Sequence, residues 1–307
     1  MSSLKYGVFI SNAGRNSGGP EVFESELIRS FARLDQENEY HLFCLNRAAK
    51  SVIGIEQDNI IYHDLRPDLR PLSMLFDLPY RIARIKPDVM HAPVIPPPIV
   101  PGGLIFTLVC STLIKHPELY PPLIRLRLKA LVQPAIQKAR LLLTVSEDVR
   151  NHAIEAFKLP PEKVRTVYLG VNPSFRPLER SEIEATIAGK YGIHDPYFLF
   201  SGRWEKRKNI FRVLEAFTRF KSEHRTNYKL VFTGGRSWSS DEVEQFIDKL
   251  GIESDFIDAT GSTTALPTGA LTSCHACTQR NASPLSATPI RITSSATVMP
   301  STRCLNS

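Results

Sequence analysis

The sequence predicts an α/β protein of two doubly wound parallel-sheet domains, the second incomplete, followed by a disordered tail outside that fold. Three observations carry the expectation. Strand-like apolar runs alternate with helical patterns over the first 258 residues. The full length of 307 residues suits two domains of about 150 residues each. Composition then breaks sharply after Asp258.

In the first domain, placed at residues 1–177, a compact apolar strand spans Tyr6 to Ser11 and runs into a glycine-rich loop. The helix Glu21 to Leu34 follows, with Val22, Phe23, Leu27, Ile28, Phe31 and Leu34 at helical spacing. A strand at Tyr40 to Leu45, a helical stretch at Leu72 to Ile85 and a strand at Asp88 to His91 continue the alternation. Next come the strand Leu104 to Val109, the helix Leu123 to Lys138 and the strand Leu141 to Val145. Ser146 caps a further helix whose first turn holds Glu147 and Asp148, and Val164 to Leu169 is the last strand of this half. Pro173 to Pro177 reads as a linker.

The second domain, at residues 178–258, repeats the pattern. It has the helix Glu182 to Tyr191, the strand Tyr197 to Ser201, the helix Asn209 to Phe220, the strand Lys229 to Thr233 and the helix Asp241 to Leu250. Two such units side by side would frame a cleft. The 49 residues 259–307 contain no Asp, Glu, Lys, Phe, Tyr or Trp, and Ala, Ser, Thr and Pro supply 29 of them. Such a stretch buries too little apolar surface to offset its ordering entropy, so it is expected to be disordered. Its abrupt start reads as out-of-frame translation or a misassembled gene.

The bulk numbers exclude several classes. A 42% hydrophobic and 22% charged chain is ordinary for a soluble globular protein. No secretory signal opens the sequence, because the apolar run Tyr6 to Ile10 is too short. The uncharged stretch Ala92 to Ile114 holds five prolines and the Gly102-Gly103 pair, so it reads as a rigid loop and a buried strand rather than a membrane span. Cys44 and Cys110 sit in strand-like runs and read as reduced core residues, which implies a cytoplasmic location. A net charge of +7 points to anionic partners. Nucleic acid is not among them: no aromatic-basic interleaving or helix-turn-helix pattern accompanies the charge.

Two strand-to-helix loops could carry chemistry. The first, Asn12 to Gly19, brings Gly18 and Gly19 to a helix start, where backbone amides and the helix dipole suit an anion. It lacks the G-x-G-x-x-G spacing of a dinucleotide site and the Lys-Ser/Thr of a P-loop. Asn46 stands where a nicotinamide-binding domain places its ribose-binding acid, which disfavours a dehydrogenase. The second loop is Ser201-Gly202-Arg203-Trp204-Glu205-Lys206-Arg207-Lys208-Asn209. Gly202 leaves room at the strand end, Arg203 can bind a phosphate through two parallel hydrogen bonds, and Lys208 adds a point charge, so a diphosphate site is expected there.

These motifs resemble those of the GT-B glycosyltransferases, in particular the large retaining family numbered four. The pattern G-R-x-x-x-x-K-N is matched by Gly202, Arg203, Lys208 and Asn209. Gly18-Gly19-Pro20-Glu21-Val22, Pro87-Asp88-Val89-Met90-His91, Val145-Ser146-Glu147 and Val167-Tyr168-Leu169-Gly170-Val171-Asn172 match in order as well. The resemblance implies two Rossmann-like domains and a hexosyltransferase that moves a sugar from a nucleotide-sugar donor to a glycan or lipid-linked acceptor, with retention at the anomeric carbon. It implies no cofactor and no metal, and places Arg203, Lys208 and Gly202 at the donor phosphates. His91, Ser146, Glu147 and Gly170 become candidates for the cleft. Polysaccharide biosynthesis is the setting it suggests, at the cytoplasmic side of a membrane.

The departures from the family pattern carry expectations too. Val109 and Cys110 occupy the positions of the family's His-Asp pair, and Leu169 and Asn172 those of its loop asparagine and aspartate. The E-x7-E region, which would contact the donor sugar and ribose, is absent, so little turnover is expected. The alternative is a non-catalytic protein that binds a sugar nucleotide or an anionic glycan. Cys274-His275-Ala276-Cys277 reads as an accident of the tail rather than a metal site. The basic, amphipathic run Leu123 to Lys129 reads as a surface helix suited to peripheral membrane contact.

Overall fold

The computed structural model describes residues 3–99, 101–237 and 239–259. The expectations for the tail therefore lie outside the described residues, except at Ala259. That residue is buried and donates its amide to the Phe232 carbonyl, so ordered structure continues one residue past the expected border. The chain divides into two compact units between Leu169 and Gly170.

The first unit is a seven-stranded parallel sheet. Its strands are β1 (Lys5–Ile10), β2 (Glu39–Cys44), β3 (Ile60–Asp64), β4 (Val89–Ala92), β5 (Leu104–Leu108), β6 (Leu141–Thr144) and β7 (Val164–Thr166), in the order β3-β2-β1-β4-β5-β6-β7. The helices between them are α1 (Gly19–Leu34), α2 (Ala49–Ile53), α3 (Arg70–Leu72), α4 (Leu78–Ile85), α5 (Thr112–Lys115), α6 (Pro122–Lys138) and α7 (Glu147–Phe157).

The inner strands are mostly apolar because both faces are covered. Val8 and Ile10 of β1, with Leu42 and Cys44 of β2, pack against Ile28 and Ala32 of α1 and Ile53 of α2. The intervening Phe9 and Phe43 point the other way, to Met74, Leu78 of α4, and the layer that includes Ile136 of α6 and Ala153 of α7. A period of two thus distributes each strand between two cores, which is the signature of a doubly wound sheet.

The second unit carries α8 (Arg180–Tyr191), β8 (Tyr197–Ser201), α9 (Ile210–His224), β9 (Lys229–Thr233), α10 (Ser240–Leu250) and β10 (Phe256–Asp258). Its sheet is parallel, in the order β10-β9-β8. Phe200 and Phe232 face α9 and α10 through Leu214, Phe217, Val243 and Ile247. Leu199 and Val231 face α8 through Ile187.

Several expected elements differ in detail. The short helix α2 and the edge strand β3 were not predicted: α2 has too few residues to show a helical period, and three of the five β3 side chains are only half-buried. The stretch expected as one helix over Leu72 to Ile85 is broken by a π-helical turn at Ser73–Asp77, closed by the Leu78 amide donating to the Ser73 carbonyl. The strand expected to reach Leu169 stops at Thr166, and Val167 to Leu169 are exposed. Cys44 is buried in the core as expected, whereas Cys110 lies beyond the end of β5, half-buried, with its thiol 2.8 Å from the Thr112 hydroxyl. Among the described residues, no helix is long and apolar enough to cross a membrane.

Candidate functional site

Because every strand runs in the same direction, the loops after β1, β4 and β6 lie along one edge of the first sheet. The chain reverses its winding between β1 and β4, where a doubly wound sheet opens a crevice for ligands. Gly18 and Gly19 end the loop after β1 and His91 lies in β4, the two strands that flank this point, and Ser146 and Glu147 follow β6, two strands away.

The β1–α1 loop is arranged differently from an anion cradle over most of its length. The buried carboxylate of Glu24 accepts hydrogen bonds from the backbone amides of Ser11 (3.1 Å), Asn12 (2.7 Å) and Ala13 (2.9 Å), and from the Ser11 hydroxyl and the Asn12 amide. Glu21 accepts from the amides of Gly14 (2.9 Å) and Ser17 (2.7 Å). Two carboxylates of the chain's own helix thus occupy the amides that a ligand would need. Asn46 donates to the Gly14 carbonyl at 2.5 Å and so braces the loop. Gly18 and Gly19 remain at the open end: the left-handed φ of +69° at Gly18 turns the chain into α1, and side chains at either position would meet open space.

His91 lies inside the sheet, with a ring nitrogen 2.8 Å from the Thr107 hydroxyl of β5. Burial away from water lowers its pKa from 6.5 to about 4, so the native imidazole is neutral at pH 7. An unfolded chain protonates this histidine below pH 6.5 while the folded one does not, so the stability it contributes is complete above pH 6.5 and lost as pH falls toward 4. Between pH 6.5 and 5 this is expected to remove about 2 kcal/mol. Burial also lowers the pKa of His41 and His63 in the same sense. Thermal unfolding from pH 7 to 5 should therefore show midpoints falling with pH, and a His91→Asn chain should show a shallower fall. Equal slopes would exclude His91 as the source.

Ser146 caps α7 as expected, its hydroxyl accepting from the Val149 amide at 3.3 Å. Glu147 is exposed in the first turn of that helix, 3.8 Å from Arg150. Gly170 opens the second unit, exposed, with open space around it.

The basic loop after β8 is the most organised of the candidates. Gly202 follows the last residue of the strand, its amide donating to the Thr233 carbonyl at 2.9 Å. Gly234, just past β9 with φ +120°, sits so close that a Cβ there would lie 2.3 Å from the Gly202 carbonyl oxygen. Arg203 and Lys208 bracket a short 3-10 turn at Lys206–Lys208, closed by the Lys208 amide donating to the Glu205 carbonyl at 2.9 Å. Arg203 is 36% exposed at its side chain and Glu205 only 4%.

The Glu205 carboxylate lies 3.2 Å from the Arg203 Nε, an ion pair without hydrogen-bond alignment, and accepts a short hydrogen bond from the Arg207 Nε. The Ser237 hydroxyl donates to the same carboxylate at 3.3 Å. Arg236 stacks over the buried Trp204 ring at 5.0 Å and pairs with Glu244 and Asp258. Lys206 pairs with Glu242 at 2.6 Å.

Sequence reasoning located the loop but missed Glu205, Gly234 and Ser237. Glu205 read as one acid in a basic run, and nothing local marks it as buried. The Gly234-Gly235 pair after β9 was the one legible signal, since it repeats the glycine after β8. Among the described residues, no group of three or more His, Cys, Asp and Glu side chains is placed to hold a metal ion.

Comparison with known proteins bears on both units. Residues 17–175 match the family model described as Glycosyltransferase Family 4, and residues 184–263 match the one described as Glycosyl transferases group 1. The O-antigen chain mannosyltransferase B of Escherichia coli is 28% identical over 131 residues, 42% of this chain and 34% of its own length. The match thus spans about a third of that curated relative. Among solved structures, WaaG, a glycosyltransferase involved in lipopolysaccharide biosynthesis, aligns with a TM-score of 0.61 and 15% identity over 85% of this chain and 71% of its own. Anabaena HepE, solved in complex with UDP and glucose, aligns with a TM-score of 0.57 and 17% identity over 84% and 69%. At such identities the alignments establish a shared fold.

Proposed function

The chain belongs to glycosyltransferase family 4, and from that premise we propose that it moves a sugar from a nucleotide-sugar donor to a glycan or lipid-linked acceptor, with Arg203 and Lys208 binding the donor's diphosphate. The observation that carries this reading is the loop after β8. It carries Arg203 and Lys208 at the carboxyl edge of a parallel sheet, where doubly wound folds bind their ligands. When the bond between sugar and diphosphate breaks, negative charge grows on the leaving phosphate. Two fixed cations stabilise it more in the transition state than in the ground state, which is how charge contributes to rate.

The UDP and glucose bound to Anabaena HepE support a UDP-sugar donor, and the O-antigen and lipopolysaccharide roles of the other relatives support an acceptor in cell-surface polysaccharide assembly. Retention and independence from a metal belong to the same proposal. So does a place at the cytoplasmic face of a membrane, supported by the exposed Leu123 and Leu126 on the basic helix α6.

Calorimetric titration of the full chain with UDP, GDP and ADP tests the donor site. At least one nucleotide is expected to bind, and Arg203→Ala or Lys208→Ala should each weaken it roughly tenfold or more, the loss of one charge-assisted contact. Affinity unchanged by both substitutions would remove the site. Donor hydrolysis measured alongside separates a transferase from a protein that only binds: tight binding with no turnover favours the latter.

A further inference from the structure

We infer that Glu205 is a positioning residue of the donor site, a buried carboxylate that holds Arg203 toward the diphosphate while leaving the loop net positive. The inference rests on the proposed donor site. Its starting observation is a mismatch of number: one buried carboxylate faces two guanidinium groups, those of Arg203 and Arg207. A carboxylate removed from water is tolerated only when paired, and one arginine would suffice for that. The second shares the same carboxylate, so the two arginines and Glu205 together carry a surplus of one positive charge.

Glu205 reaches both members of the proposed cation pair by different routes. Its side chain forms an ion pair with the Arg203 Nε, and an Arg203 Nη lies 3.5 Å from the Arg236 carbonyl, so the guanidinium is held between the buried carboxylate and the loop after β9. Its main-chain carbonyl accepts from the Lys208 amide and so sets the turn that carries the ammonium. Ser237, from the loop after β9, donates to the same Oε1 that faces Arg203, which ties the arrangement to the neighbouring strand. A guanidinium fixed before the ligand arrives loses less rotamer entropy on binding than one that must be ordered by it. The remaining positive charge is the complement of a nucleoside diphosphate.

The test uses the full chain and whichever of UDP or GDP it binds, with the matching nucleoside monophosphate as control. Glu205→Gln and Glu205→Asp are each expected to weaken the diphosphate roughly tenfold and the monophosphate much less, since a loop that merely unfolds would weaken both alike. The Asp variant keeps the buried charge opposite the two arginines and serves if the Gln variant fails to fold, as read from the near-ultraviolet signal of the buried tryptophan beside it. On an Arg203→Ala background, Glu205→Gln should cost little further affinity. Wild-type affinity in a folded Glu205 variant, while Arg203→Ala is impaired, overturns the positioning role and leaves the donor site standing. A full additional loss on the Arg203→Ala background overturns it as well. Wild-type affinity in Arg203→Ala overturns the positioning role, and wild-type affinity in Lys208→Ala as well overturns the donor site with it.

Discussion

Replacing Glu24 with glutamine is expected to destabilise the first unit almost as much as replacing it with alanine, by about 4 kcal/mol. The reason lies in what the carboxylate accepts. Three successive backbone amides, two side-chain donors and no acceptors converge on its two oxygens. Alanine leaves the amides of Ser11, Asn12 and Ala13 without their partner in a buried place, at about 1–3 kcal/mol each before any water enters. Glutamine keeps the size of the side chain but turns one oxygen into an amide that donates. That group would face donors, and the loop has no arrangement that satisfies them all. Urea denaturation followed by circular dichroism gives the difference in stability. A near-neutral glutamine variant would show that the amides find other acceptors. The loop after β1 would then owe its shape to its glycines rather than to this helix.

The second large effect is expected at Gly234. Alanine there places a Cβ 2.3 Å from the Gly202 carbonyl oxygen and 2.6 Å from its carbon, distances that only a backbone shift relieves. The φ of +120° compounds the overlap, because a side chain is strained in that region whatever the space. A loss of about 3 kcal/mol is expected in the second unit, from overpacking together with the unfavourable backbone conformation. The shift would fall on Gly202, one residue before Arg203, so nucleotide affinity should drop with stability. Gly235→Ala is the control, since nothing lies within 4 Å of a Cβ at that position. A melting temperature for Gly234→Ala within a degree or two of the control would mean that the two strand ends do not approach as closely as described.

These two residues show where legibility ends. The loop from Asn12 to Gly19 was read as a place for an anion because its composition permits one. The amides of Asn12, Ala13, Gly14 and Ser17 are taken up by Glu21 and Glu24, acids of the following helix that look, in sequence, like ordinary polar positions of an amphipathic pattern, and only the Gly18-Gly19 end stays open. A buried carboxylate and an exposed one have the same letter. The distinction arises only when the helix docks and turns position 24 toward the strand end. The basic run at 203–208 was legible because its charge is dense and its place after a strand is fixed by chain order. The acid within it was overlooked for the same reason, since one Glu among four cations reads as part of a solvated turn.

Chain order and local pattern alone determined the alternation of strands and helices, the parallel sense of both sheets, the cap at Ser146 and the position of the basic loop after β8. Each follows from interactions within a few residues: side-chain period, a glycine at a strand end, a hydroxyl before a helix. Tertiary structure alone decided that His91 is sealed against Thr107, that Glu24 organises the loop after β1, that Gly234 abuts Gly202, and that Glu205 sits between two arginines. Those facts depend on which elements become neighbours, and the free energy of a polar group is set by what surrounds it after packing, a quantity no run of adjacent residues contains.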